Sequence, residues 1–425
     1  MNHHEQQLVT LLGALAIIIV SSQLAGRLAQ RHGQPFAVGE IAGGIVLGTL
    51  MGVFWPEGGA FLHGSVGGIL TAISQLGIIL MMFQIGMEFD FGLLRERRLK
   101  RALSWITVLG IPLPYLAGMA CAYLYTQYQP VENVTGLMLV CGISFSITAL
   151  PILGRILLER GMARSETGVT AIAAAGINDL IGWIALGLVI VVCAGGGFTA
   201  TLLKVGAVGL FLGLFYRGVA PWLNRWLQRE SPAGEGLSDM RFGLVVATIF
   251  VMAIITAWLG VFAIVGGFLL GTALYRCDVL REQWDLRMRP LVNIVMVPVF
   301  FFYTGMKIDL GTLGTADDLL WCLFWVFCAC ASKGLSCALA ARLAGMAGRE
   351  ALKIGVLLNT RALMELVVLN IAHELGLMPA QLFSILVIMA LFSTLITAPL
   401  LNLLQRREAR VAQRTVQMAV GLRLD

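Results

Sequence analysis

"GGIVLGT", residues 43–49, recurs about 220 residues later as "GGFLLGT", residues 266–272. A second pair of stretches matches at the same offset, "GMEFDFG" at residues 86–92 and "GMKIDLG" at residues 305–311. One glycine-rich match says little, because glycine is common where membrane helices approach each other closely. Two matches at one offset indicate an internal repeat.

The composition is that of a protein that crosses a membrane many times. Of the 425 residues, 58% are hydrophobic and 13% are charged, and the mean hydropathy is +0.85. Soluble domains carry roughly 25% charged residues. Apolar stretches long enough to span a bilayer as helices recur along the chain. We predict an all-α fold of thirteen transmembrane helices, which start near residues 8, 36, 66, 102, 134, 167, 198, 241, 260, 290, 318, 351 and 380.

Basic residues fall in alternate loops of this predicted topology. They cluster, for example, at positions 95–101, 276–289 and 406–423, while the intervening loops "QPVEN" and "GTADD" are acidic. Basic loops are usually cytoplasmic, so we expect the N-terminus outside and the C-terminus inside. The net charge of +6 is therefore a sign of membrane topology and does not indicate nucleic-acid binding.

The two halves of the repeat are expected to have opposite orientations. Their offset is seven helices, and an odd number of helices reverses the direction in which the chain crosses the membrane. Inverted repeats of this kind are typical of secondary transporters, whose binding sites lie near the midplane. We expect a membrane domain at 1–404, with a first repeat at about 8–194, a linker helix at about 198–220 and a second repeat at about 241–404. A basic cytoplasmic tail would follow at 405–425.

Asp179 is the one charged residue from position 167 to position 203. A charged carboxylate in an apolar span is costly, so such a residue is by default a functional candidate. It lies roughly 18 Å into helix six from the cytoplasmic end, at about 1.5 Å per residue. Lys333 falls at a similar depth in helix eleven and is its expected charge partner.

Three further charged residues lie within predicted helices. Arg361 and Glu365 are four residues apart on one helix face, which predicts a structural ion pair in the core. Glu40 lies in the first turn of helix two. It either stabilises the positive end of that helix or pairs with Arg361.

Two predicted helices carry poor helix formers at the depth of Asp179. Helix five contains "SFSITALP", residues 144–151, and helix twelve contains "NTRALMEL", residues 359–366. Interrupted helices at equivalent places in two repeats indicate a transporter's binding site, because broken ends offer carbonyl groups to a cation. A hard monovalent cation prefers oxygen ligands. The candidates for cation and proton binding are Asp179, Asn178, Ser146 and Thr148.

Other function classes are less compatible with the sequence. The sequence lacks the metalloprotease, nucleophile-elbow and phosphate-loop motifs of enzymes, and we expect no cofactor and no catalytic residue. A channel would need a continuous polar lining, and a sodium-coupled symporter of organic anions would favour a basic pocket. Proton-coupled efflux of an organic cation or drug on the same scaffold stays open.

Five stretches resemble one known family. They are "VGEIAGGIVLG", "SITALPILGRIL", "AAAGINDLIGW", "FFFYTGMKIDL" and "NTRALMELVVLNIAHELGLM". Together they resemble the second family of monovalent cation:proton antiporters, which includes the NapA-like sodium/proton exchangers and the membrane part of the Kef potassium-efflux systems. The resemblance extends from about residue 8 to 404.

The resemblance implies an NhaA-like fold and a homodimer in which a mobile core domain moves against a scaffold. It implies that helices five and twelve are unwound and cross, that Asp179 alternately binds a proton and a cation, and that Lys333 faces Asp179. We therefore expect exchange of Na⁺ or K⁺ for H⁺, with Li⁺ as an alternative cation. The protein is expected to be a multi-pass protein of the plasma membrane, namely the bacterial inner membrane.

The sequence departs from the family pattern at one position. Many electrogenic members carry two adjacent aspartates, whereas this chain has Asn178 before Asp179. The asparagine is usual in electroneutral members, which generally carry an arginine in place of Lys333. We expect exchange of one cation for one proton.

Overall fold

The computed structural model describes residues 3–54, 66–89, 92, 96–194, 198–229, 237–260, 263–306, 316–361 and 363–421. Apart from π-helical turns at Phe215–Val219 and Val292–Met296, the regular structure of these residues is α-helical. The helices are α1 (His3–Arg31), α2 (Phe36–Phe54), α3 (Gly67–Glu88), α4 (Arg97–Gly110), α5 (Pro112–Thr126), α6 (Val134–Ser146), α7 (Leu150–Glu159), α8 (Glu166–Ala194), α9 (Phe198–Leu214), α10 (Ala220–Arg229), α11 (Asp239–Trp258), α12 (Ala263–Leu274), α13 (Asp278–Arg287), α14 (Arg289–Leu291), α15 (Val297–Met306), α16 (Ala316–Leu343), α17 (Gly348–Leu358), α18 (Leu363–Glu374) and α19 (Ala380–Gly421).

The described residues form a multi-pass membrane protein, as predicted. Ten of their helical segments are long and apolar enough to cross a membrane. The predicted spans that start near residues 36, 260 and 351 coincide with shorter helices, namely α2, α12 and the pair α17 and α18. The third of these is divided because its sequence contains one of the two predicted interruptions.

Most of the helices belong to two groups. The scaffold bundle consists of α1, α2, α3, α11, α12 and α15, which pack mainly against one another. The site bundle consists of α4 to α8 and α16 to α19. The two bundles meet where α7 packs against α2 and α3, and α8 also packs against α9, which belongs to neither group.

Glycine backbones make the scaffold bundle compact. Helix α2 packs on α15, and α3 packs on α12, so each half of the predicted repeat packs on the other. At the first crossing Gly44 lies against Gly305, and at the second Gly86 lies against Gly271. These four glycines belong to the matched stretches from which the repeat is predicted. Residues 90–91 and 307–311, at the ends of those stretches, lie outside the described residues.

A side chain at either crossing would strike backbone. A Cβ atom added at Gly271 would lie against the carbonyl oxygen of Phe83 and 2.9 Å from the Cα atom of Gly86. Backbone of a packed helix cannot move aside as a flexible side chain does. The recurrence of glycine in these stretches therefore has a packing reason that the sequence alone does not reveal.

We predict that Gly271→Val destabilises the protein by about 1–3 kcal/mol, the usual cost of overpacking. The matched control is Gly13→Val on α1, where an added Cβ meets no atom within 4 Å. Thermal unfolding in detergent, followed by size-exclusion chromatography, measures both variants. Equal unfolding temperatures for the two variants would contradict this account of the glycine crossings.

Candidate functional site

Both predicted helix interruptions are present. Helix α6 ends at Ser146 and α7 begins at Leu150, so residues 147–149 are not helical. Helix α17 ends at Leu358 and α18 begins at Leu363. Each break leaves backbone donors and acceptors without partners in their own helices. Inside a membrane these groups must be satisfied by protein, because no bulk water is present.

The two interruptions satisfy each other. The amide of Ala149 donates a hydrogen bond of 2.9 Å to the carbonyl oxygen of Thr360. The hydroxyl of Thr148 donates one of 2.8 Å to the carbonyl oxygen of Leu358. The non-helical segments therefore lie against each other, at the place where the sequence predicts an unwound crossing pair.

Arg361 satisfies the carboxyl end of α6. Its guanidinium donates hydrogen bonds to the carbonyl oxygens of Ser144, at 2.5 Å, Phe145, at 2.8 Å, and Ala329, at 3.3 Å. It also lies over the ring of Phe145, 5.5 Å from the centroid. The carbonyl end of a helix is the negative end of its dipole, so a cation stabilises it.

Glu365 lies next to this arginine. The Nη1 atom of Arg361 is 3.7 Å from Oε1 of Glu365, and both side chains are fully buried. The hydroxyl of Ser144 donates a hydrogen bond to the same carboxylate oxygen. Ser144 lies in the interrupted stretch 144–151, but the sequence does not indicate a role for its hydroxyl. The structure assigns it one at the centre of the crossing.

Glu40 does not join this pair. Its carboxylate lies 2.7 Å from the Nη1 atom of Arg155 and accepts a hydrogen bond of 3.0 Å from Ser22. The predicted alternative, in which Glu40 pairs with Arg361, is therefore wrong. The start of α2 lies against α7, which carries Arg155, whereas Arg361 lies at the crossing. Arg155 lies near the end of the predicted fifth helix, where the sequence predicts basic cytoplasmic residues and gives no sign that this one is largely buried.

Lys333 also satisfies the end of α6. Its ammonium donates hydrogen bonds to the carbonyl oxygens of Ser146, at 2.5 Å, and Gly110, at 2.9 Å. It interacts electrostatically with Asp179, yet no ion pair within 4.0 Å joins these two described residues. Its direct partners are carbonyl groups.

Asn178 connects α8 to the interruption between α6 and α7. Its side-chain amide donates hydrogen bonds to the carbonyl oxygen of Ser146, at 2.8 Å, and the hydroxyl oxygen of Thr148, at 3.0 Å. Because the Thr148 hydroxyl donates its own hydrogen to Leu358, both partners of Asn178 act as acceptors. This position therefore requires a side chain with two N–H donors.

Asp179 has an oxygen that no described group satisfies. Its side chain is buried, with 3% exposure, and its Oδ1 atom has no hydrogen-bond partner among the described residues. The same holds for Oε2 of Glu365 and Nε of Arg361, but these two side chains belong to an ion pair. Buried polar atoms in proteins nearly always have partners, and the exceptions call for an explanation. A proton or a bound cation would supply what this carboxylate lacks. The structure thus brings Asn178, Ser146 and Thr148 into one network, with Asp179 next to it in sequence on α8.

A cavity that no sequence pattern indicates lies along this helix. It has a volume of about 850 Å³, and its lining includes Gly176, Ile177 and Leu180 of α8, which flank Asp179 in sequence, and Phe268 and Thr272 of α12. The cavity also reaches residues 275–276, at the start of a loop that is basic and predicted to be cytoplasmic.

Comparisons with known proteins agree with the motifs. Residues 15–403 match the family described as "Sodium/hydrogen exchanger, transmembrane". The chain is 32% identical over 405 residues to the Na⁺/H⁺ antiporter NhaS4 of Synechocystis, which covers 92% of this chain and 96% of that protein. It is 28% identical over 392 residues to the Na⁺/H⁺-K⁺ antiporter GerN of Bacillus cereus, covering 91% and 94%.

Two further similarities extend this result. The chain is 30% identical over 385 residues to the K⁺/H⁺ antiporter 1 of Saccharomyces cerevisiae, which is 87% of this chain but only 43% of that protein. The solved structure of the sodium proton antiporter MjNhaP1 from Methanocaldococcus jannaschii superposes with a TM-score of 0.56 at 15% identity, covering 93% and 96%. Together these matches confirm the resemblance to monovalent cation:proton antiporters.

We predict that Arg361→Met destabilises the protein strongly, by about 3–5 kcal/mol, because it leaves Glu365 as a buried charge without its cation. Arg361→Lys is the matched comparison. It retains the charge but cannot reach three carbonyl groups at once, so its stability should be intermediate. Thermal unfolding in detergent gives the order. Wild-type stability of Arg361→Met would contradict the assigned role.

Proposed function

Because the chain belongs to the transmembrane sodium/hydrogen exchanger family, we propose that it exchanges a monovalent cation for protons across the membrane by alternating access. The observation that carries this proposal is Asp179, a buried carboxylate whose Oδ1 atom has no partner among the described residues, on the helix whose residues Gly176, Ile177 and Leu180 line a cavity. We propose that proton and cation compete for this carboxylate, and that Ser146 and Thr148 contribute oxygen atoms near it. Asn178 positions this region, and the nearby ammonium of Lys333 supplies compensating charge.

The coupling follows from the cost of moving charge. With a proton or a monovalent cation bound, the Asp179 carboxylate is neutral. Empty, it carries a negative charge that is costly to move across the apolar barrier. The site therefore changes sides only when it carries one ligand or the other. Each passage of a cation is then matched by a passage of protons in the opposite direction.

Movement of one bundle against the other would expose the site to either side. The cavity between α8 and α12 reaches residues 275–276 at one end and Leu259, next to the end of α11, at the other. We propose that it opens to the side of the basic loops. We propose thirteen spans, because the interrupted α17 and α18 together supply one of the shorter spans. We also propose that the N-terminus lies outside and the C-terminus inside. The glycine crossings support the inverted repeats over the predicted ranges. We also propose that the protein forms a homodimer in a bacterial inner membrane.

The transported ion is proposed to be Na⁺ or K⁺. The names of the similar proteins include both ions. One carboxylate with one charge favours exchange of one cation for one proton, since Asn178 contributes hydrogen bonds without adding charge.

We predict that Asp179→Asn reduces exchange to the background of empty liposomes, because the amide cannot take up and release a proton. Proton flux is measured in proteoliposomes with a pH-gradient dye on addition of Na⁺, K⁺ or Li⁺. The matched control is Asp239→Asn, whose side chain is 97% exposed and lies far along the chain from the site. It should exchange at the wild-type rate.

Two results would contradict this assignment. Cation-driven proton flux retained by folded Asp179→Asn would remove the carboxylate from the mechanism. A wild-type protein that responds to no inorganic cation, but to an organic cation, would replace the substrate class.

We predict that exchange is electroneutral. The initial rate in the same proteoliposomes should change by less than about twofold when the membrane potential is clamped at zero or set at −100 mV, a potential that would otherwise act with about 2.3 kcal/mol on each transferred charge. A rate that follows the potential would show that more than one proton accompanies each cation.

A further inference from the structure

Arg155 makes the closest charged contact found between the two bundles. It lies on α7 of the site bundle, and its Nη1 atom is 2.7 Å from the carboxylate of Glu40 on α2. Its guanidinium also lies between two rings of the other side, 5.3 Å from the centroid of Phe36 and 5.5 Å from that of Phe301. One side chain of the site bundle is therefore held by several groups from the scaffold side.

Neighbouring groups reinforce this contact. Glu159, one turn after Arg155, is 3.2 Å from the arginine's Nε and accepts a hydrogen bond of 2.9 Å from the amide of Phe36. Ser22 of α1 donates to the second oxygen of Glu40. The contact thus joins α7 to both α1 and α2. Neither Glu40 nor Arg155 has a part in the exchange chemistry proposed at Asp179.

The Arg155–Glu40 ion pair lies where its two side chains can separate. A cavity of about 620 Å³ is lined by Arg155, Glu159 and Gln84, among other residues. The Oε1 atom of Gln84 is buried and has no protein partner, which is typical of a place where water is bound. Water in this cavity can replace Glu40 as a partner of the guanidinium. Glu40 itself is fully buried. When the pair separates, the free-energy cost is therefore larger for Glu40, which is left as a buried charge, than for Arg155.

We propose that the Arg155–Glu40 ion pair holds the bundles in the arrangement described, in which the cavity between α8 and α12 is open. The pair separates and re-forms in each exchange cycle. This inference rests on the proposed function. The two residues are positioning residues, because they act on the relative placement of the bundles without touching the transported ion.

The proposal predicts a shift in the population of this arrangement. Glu40→Gln retains the size and the hydrogen bond from Ser22 but removes the charge that holds Arg155. If the open arrangement falls to about a tenth of its population, the apparent KM for a cation offered on that side rises about tenfold. The maximal rate should not fall in proportion, because the site itself is unchanged.

Cysteine labelling reports the arrangement independently of transport. Leu269 lines the cavity opposite α8, so Leu269→Cys is introduced after the eight native cysteines are replaced. A membrane-impermeant maleimide is applied to inside-out vesicles. With Glu40→Gln the labelling rate should fall several-fold. The matched control is Glu166→Gln, which removes a half-exposed carboxylate whose partner, Arg98, lies in the same bundle. With Glu166→Gln, the cysteine at position 269 should be labelled at the same rate as without that change.

A double variant and a conservative one test the pair itself. Arg155→Gln combined with Glu40→Gln should shift labelling and KM no further than either single change, because each removes the same interaction. Arg155→Lys keeps the charge but loses the planar group between the two rings, so it should give an intermediate shift even if Glu40→Gln fails to fold.

The outcomes separate this inference from the proposed function. Unchanged labelling and KM in folded Glu40→Gln, or in Arg155→Lys, would overturn the inference and leave a purely structural ion pair. Loss of exchange assigned to Asp179 is tested separately. If Asp179→Asn still exchanged cations while Glu40→Gln shifted the labelling, the proposed site would fail and the contact between the bundles would stand.

Discussion

The structure depends on one constraint, which is that a helix interrupted within a membrane must find its hydrogen-bond partners in protein. The interrupted segments meet this constraint by lying against each other, through Ala149 with Thr360 and Thr148 with Leu358. The free carbonyl end of α6 is then met by two cations, Arg361 and Lys333. The pairs of broken helices are therefore one structural unit.

This arrangement determines the condition of Asp179. Lys333 donates two hydrogen bonds to carbonyl groups and makes no ion pair with Asp179 within 4.0 Å. The lysine thus offsets the negative charge through space but leaves the carboxylate's hydrogen-bonding capacity free. A direct, close salt bridge would compete with any incoming cation. An ammonium fixed to backbone carbonyls compensates charge without blocking the site, which suits a carboxylate that must bind and release its ligands.

The sequence gives the depth of the candidate residues but not their partners. Hydropathy and helix periodicity place Asp179, Lys333 and the two interruptions at one level. They do not give the rotation of one helix against another, on which partners depend. For that reason the sequence does not reveal that Glu40 pairs with Arg155, a basic residue near the end of a predicted helix that contacts a fully buried carboxylate.

The count of spans shows the same limit. A helix of full length and apolar composition is recognised from sequence alone, and ten segments of the described chain meet that description. The glycines of α2 and α12 bring these helices against α15 and α3 at backbone distance. Which helices meet in this way depends on packing between distant parts of the chain, which no local pattern contains.

The unusual combination of Asn178 with Lys333 has a physical explanation in this geometry. The carbonyl of Ser146 accepts from both side chains, and the hydroxyl oxygen of Thr148 is left as an acceptor because its hydrogen goes to Leu358. A charged aspartate at position 178 could not bond to the Ser146 carbonyl, and it could accept from Thr148 only if that hydroxyl gave up its hydrogen bond to Leu358. An amide satisfies both with two N–H groups. Since Lys333 is engaged by carbonyls rather than by a carboxylate at 178, the lysine is compatible with asparagine here, and Asp179 is the one carboxylate of this pair of positions.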